Sequence, residues 1–128
     1  MHEITAGIDW IAVGVGTVAA FMLGWAWYSP MLFGKKWAEG VGLKLESAPA
    51  MPVAAMLTQL IATFLLAWVV GVTAVQNALA TVILVVATIV LIVVANGLFA
   101  KKSGYAIAVE GSFVAAMAAV MVLMQAIF

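Results

Sequence analysis

Cysteine is absent from the 128 residues, which excludes disulfides, thiolate nucleophiles and thiolate metal sites. Arginine is absent as well, and with it bidentate phosphate recognition. Charge of either sign is scarce: five lysines and five acids make up 8 % of the chain, and the formal net charge is zero. Nothing in that balance suggests nucleic acid as a partner. The single histidine is His2, outside the apolar segments, and no nucleophile–base pair is evident in the sequence. No cofactor motif is present, no enzyme is expected, and a terminal His2, Glu3 and Asp9 are a poor metal site. The start, Met1-His2-Glu3, has no basic stretch, so a cleaved secretory signal is not expected. What is abundant is apolar surface, at 68 % of residues and a mean hydropathy of +1.29. Soluble domains average about 45–50 % apolar and roughly 25 % charged. A soluble domain this short cannot hide so much apolar surface, and disorder needs the opposite composition. The chain is expected to be an integral membrane protein, all-α, a single transmembrane bundle over residues 1–128.

A crossing of the roughly 30 Å hydrocarbon core takes about 20 helical residues. Trp10 to Phe33 carries no charge and suffices for one. Ser47 to Ala100 is uncharged throughout and as one helix would be about 80 Å long. It must fold back, and its most polar interior point is Gln76-Asn77. Tyr105 to Phe128 carries one charge, Glu110. Four spans follow, near 9–29, 52–73, 78–99 and 105–127, arranged as two hairpins. Lys35, Lys36 and Lys44 then share a side with Lys101 and Lys102, and the positive-inside rule makes that side cytoplasmic. Both termini and the 73–78 turn fall on the other side. Trp25, Trp27, Trp37, Tyr28 and Tyr105 are expected near the cytoplasmic interface, Trp10 and Trp68 near the outer one. The expected location is a membrane that the chain crosses four times.

Ser29-Pro30 reads as an N-cap followed by proline at the first helical position. A short interfacial helix is expected from Pro30 to about Glu39, with Phe33 and Trp37 on one face and Gly40 and Gly42 as a stop. A second break, at Ser47 to Pro52, leads into span two. Leu32-Phe33-Gly34-Lys35-Lys36 and Leu98-Phe99-Ala100-Lys101-Lys102 are similar, and a parallel duplication of two hairpins is one explanation. Chance is the other, because basic residues flank inner span ends anyway. Small residues let helices approach closely in lipid. Ala12, Gly16, Ala20 and Gly24 form such a stripe on span one. Gly111, Ala115 and Ala119 form one on span four, with Ala108, Ser112 and Ala116 beside it. Span three has few small sites, so spans one, two and four are expected to pack closely and span three to face lipid more; the stripes could instead mark a subunit interface.

Trp27-Tyr28-Ser29-Pro30, followed by Leu32-Phe33-Gly34-Lys35 and Trp37, resembles the hallmark of a bacterial family of small four-helix membrane proteins. Asn96-Gly97-Leu98-Phe99 is its second mark. The family is catalogued as domain of unknown function 1761. The resemblance covers essentially the whole chain and implies the four-span fold and a bacterial membrane, but no activity. Span four departs from the family pattern at Glu110, where a neutral polar residue is usual.

An acid inside a span is a functional candidate by default. Glu110 heads a face that continues through Val114, Met117, Met121, Met124 and Phe128, and could be a proton or cation site or a partner contact. A structural reading stands beside these: Lys101 or Lys102 snorkels to it, or Asn96, Ser29 or Tyr28 holds it. Asn96, Thr58, Gln59, Thr63 and Gln125 are explained by interhelical hydrogen bonds or, for threonine, by bonds to the helix's own backbone. Lys35, Lys36, Lys101 and Lys102 form a basic edge suited to anionic headgroups. Two functions remain. The first is an accessory or structural subunit that packs with itself or within a larger membrane complex. The alternative is a small oligomeric transporter or channel using Glu110.

Overall fold

The computed structural model describes residues 2–29, 31–42 and 53–128. Its described residues form five α-helices, four of them long and apolar enough to cross a membrane. These are α1 (Trp10–Trp27), α2 (Gly34–Gly40), α3 (Val53–Val75), α4 (Leu79–Phe99) and α5 (Gly104–Ile127). A short 3-10 turn, His2–Ile4, precedes them. The proline-rich break at 47–52 and Lys44 lie outside the described residues.

Local chemistry sets the helix ends. Asp9 caps α1, its carboxylate accepting from the Ala12 amide at 3.1 Å, and Ser103 caps α5 by accepting from the Ala106 amide at 3.0 Å. Each leaves one fewer orphan donor at a helix start. The α3–α4 turn closes where the polar pair Gln76-Asn77 predicts it. Asn77 takes a left-handed φ of 52°, the Asn77 amide donates to Ala74, and the Ala78 amide donates to Thr73 at 2.8 Å. That is a Schellman closure, with asparagine as its left-handed residue. The α4–α5 connection uses the same device. Lys101 has φ 58°, and the Lys101 and Lys102 amides donate to Leu98 and Gly97.

The loop after α1 differs from expectation. The Ser29 hydroxyl does not cap a helix at Pro30 but donates back to the Ala26 carbonyl at 2.8 Å. The chain turns first, with the Phe33 amide donating to Trp27 and the Gly34 amide to Ser29. Helix α2 therefore starts later, at Gly34, with Phe33 at its N-cap. Pro30 itself lies outside the described residues. The similar segments 32–36 and 98–102 also take different structures. One is a turn entering α2, the other the closure of α4.

Helix α5 is the hub. It packs on α1, α3, α4 and α2, while α1 also packs on α3. Close approach occurs at glycines: Gly16 against Met121, Gly24 against the Phe113 ring, Gly71 against Val13, and Gly97 against Ile107. The span-one stripe is thus consumed inside the bundle, with Ala12, Gly16 and Ala20 buried and Gly24 half-buried. The span-four stripe is not. Gly111 is buried, but Ala115 and Ala119 are exposed. The core side of α5 is built from larger residues, Val109, Phe113, Val114, Met117 and Met121, which turns the alanines outward. Helix α4 buries only Val82 and Gly97, in keeping with its large, branched side chains. Thr17, Thr58, Thr63, Thr73 and Thr88 each donate their hydroxyl to a carbonyl of their own helix three or four residues back.

Candidate functional site

Glu110 sits two turns into α5, and its side chain retains 14 % exposure. Both carboxylate oxygens accept from the Lys102 ammonium, at 3.0 and 2.9 Å. The Trp37 indole N–H donates to Oε2 at 2.9 Å. These are charge-assisted bonds, shorter and stronger than neutral ones. The Schellman closure at Lys101 brings the next residue, Lys102, back over the first turns of α5. Helix α2 brings Trp37 from the other side.

Aromatic side chains hold that helix in place. Tyr28 stacks edge-on with Trp37 at 4.9 Å and with Phe113 at 5.3 Å. Trp27 stacks on Phe33 at 5.0 Å, and its indole donates to the Val109 carbonyl at 3.1 Å. Burial first, and the Glu110 charge second, push the Tyr28 phenol above its ordinary range, so it stays protonated. Trp27 and Trp37 are half-buried, and each indole N–H finds an acceptor on α5. Trp25 remains 81 % exposed. At the far end of the helices Trp10 stacks on Trp68 at 5.4 Å.

Two glycines let this end close. A Cβ on Gly34 would overlap the Tyr28 carbonyl oxygen and would lie 2.7 Å from the Ser29 carbonyl. A Cβ on Gly40 would overlap the Ser103 hydroxyl and lie 2.7 Å from Ala106. The Ser103 amide donates to the Gly40 carbonyl at 3.0 Å. So α2 is pinned at both ends, to the α1 exit and to the α5 cap.

The expected site residues are only partly brought together. Lys102 and Trp37 reach Glu110; Lys101 is exposed. Asn96 lies on an exposed face of α4, and among the described residues no hydrogen bond joins it to Glu110. Lys35 and Lys36 are exposed on α2, with the Lys36 ammonium 5.3 Å from the Tyr105 ring centre. Val114, Met117 and Met121, the face below Glu110, are buried in the core. The part of Trp37 was missed because a loop tryptophan reads first as a membrane anchor; its free N–H donor was the available signal. At the opposite end a cleft of about 300 Å³ opens among α3, α4 and α5. Thr73, Asn77 and Gln125 are its polar lining, and it has no titratable side chain.

No curated protein and no solved structure matches the chain. The model of a family described as a protein of unknown function, DUF1761, matches residues 11–126. That span takes in the Trp-Tyr-Ser-Pro and Phe-Gly-Lys segments, Trp37, Lys102 and Glu110, and the chain belongs to this family.

Proposed function

We propose that the chain is a non-catalytic subunit of a bacterial inner membrane, packing with itself or within a larger membrane complex. Its four spans form two hairpins. The lysine-bearing end faces the cytoplasm by the positive-inside rule, both termini face the other side, and α2 lies at the cytoplasmic interface with Lys35 and Lys36 toward headgroups. The observation that carries this reading is the state of Glu110, the one charged side chain in a span. Lys102 and Trp37 already answer it, so it serves as an anchor for α2. A transport role would need that carboxylate free to exchange a proton or cation. Helix α4 exposes Ile83, Leu84, Leu91, Ile92 and Leu98, a surface that lipid tails cover as well as a neighbour would.

The test is native mass spectrometry of the complex extracted from its own membranes in mild detergent. The reading expects more than one chain per particle, either copies of this one or stoichiometric foreign polypeptides. A lone monomer would overturn the subunit role. Proton or cation flux that Glu110→Gln abolishes, with the fold intact, would establish the transport alternative instead.

A further inference from the structure

A second feature of the lysine-bearing end has no part in the Glu110 cluster. A groove of about 230 Å³ opens there, walled by Phe33 and Tyr105 and floored by Ala108, Val109 and Ser112 of α5. Ala108 and Ser112 are exposed along it, and the same uncovered face continues through the exposed Ala115 and Ala119. The Ser112 hydroxyl is spent on the Val109 carbonyl at 3.1 Å, so the floor presents an apolar surface. Lys36 stands at the mouth, its ammonium over the Tyr105 ring. Among the described residues the ion pair is Lys102–Glu110, and Lys36 takes no part in it. Glu110 is paired there, and Glu39, the acid on α2 three residues from Lys36, is exposed and forms no ion pair with it.

We propose that this groove seats one acyl chain of an anionic phospholipid whose phosphate meets Lys36. The dimensions fit. Ala108 to Ala119 covers about 16 Å at 1.5 Å per residue, the depth of one leaflet of a core about 30 Å thick. A slot of this volume between two rings holds part of a hydrocarbon chain, whereas a partner helix is about 10 Å across. A lysine near the membrane surface favours an anionic headgroup, and its charge has no acid to satisfy it within the groove. The proposal requires only that the helices span a bilayer, not that the chain be a subunit.

The experiment is lipid titration of the purified full chain in detergent, read by native mass spectrometry, with phosphatidylglycerol and phosphatidylcholine of identical acyl chains. One phosphatidylglycerol should be retained in preference to phosphatidylcholine. Lys36→Gln should lower its retention about fivefold, and Lys101→Gln, outside the groove's lining, should lower it by clearly less. Ser112→Leu should fill the floor and remove retention of both lipids. Ser112 is exposed, so an unchanged melting temperature would show that this variant still folds. Equal retention of the two lipids would overturn the proposal. So would full retention in Lys36→Gln or in folded Ser112→Leu, or an equal loss in Lys101→Gln, which would indicate unspecific charge attraction.

Discussion

Gly34→Ala adds one methyl group at the point where α2 meets the end of α1. In the present geometry the new carbon would overlap the Tyr28 carbonyl oxygen and sit 2.7 Å from the Ser29 carbonyl carbon and oxygen. Those are backbone atoms, so no flexible side chain can swing away. Relief requires the 28–34 turn to open, which weakens the Gly34–Ser29 hydrogen bond of 2.9 Å and the Phe33–Trp27 bond of 3.2 Å. Two such bonds contribute about 1 kcal/mol each, and overpacking costs about 1–3 kcal/mol. Alanine regains up to about 1 kcal/mol of helix propensity over glycine. The net expectation is a loss of about 2 kcal/mol, near thirtyfold in the unfolding equilibrium. Gly14→Ala is the internal control. Nothing lies within 4 Å of its Cβ position, so it should be neutral or stabilising by up to about 1 kcal/mol. Reversible unfolding in mixed dodecyl maltoside and dodecyl sulfate micelles, followed by circular dichroism, measures both. Equal stability of the two variants would refute the steric argument.

Gly24→Ala should lower stability by about 1–3 kcal/mol in the same assay, since the new carbon would meet the Phe113 ring at 2.8 Å. Lys101→Gly should raise it by about 1 kcal/mol, because a non-glycine residue at φ 58° is strained; a loss would mean that the lysine side chain outweighs its backbone. The raised phenol of Tyr28, past the end of α1, makes a pH prediction. Its stabilising contribution is complete below the ordinary tyrosine value of about 10. It is lost as pH rises from there through the higher folded value, because the unfolded phenol ionises first. Tyr28→Phe should remove that part of the alkaline instability, and an unchanged alkaline profile would contradict the assignment.

The spans were legible because length, hydropathy and the bilayer leave one solution: a charge-free stretch from 47 to 100 must turn, and Gln76-Asn77 is where water is most costly to lose and a left-handed residue is tolerated. The lysines that follow α1 and α4 were legible for similar local reasons. The pairing of Trp37 with Glu110 was not, since the two lie 73 residues apart and meet only after α2 folds back on α5. Nor was the use of Gly34, Gly40 and Gly97, whose missing side chains matter only for what stands opposite. The alanines of span four could not be placed from the sequence, because a small-residue stripe has the same spacing whether or not a helix of the same chain covers it. Here the larger residues of α5 took the core side and left Ala115 and Ala119 outside.

The account rests on Glu110 as an anchor that Lys102 and Trp37 hold. The most direct measurement is a double-mutant cycle of Glu110→Gln and Lys102→Met in the micelle unfolding assay, with Trp37→Phe as a third arm. Charge-assisted bonds to a largely buried carboxylate predict a Glu110–Lys102 coupling of about 1–2 kcal/mol, with a smaller coupling to Trp37. A coupling near zero, with each single variant as stable as the parent, would show that the pair is held by nothing more than proximity and would contradict the anchor.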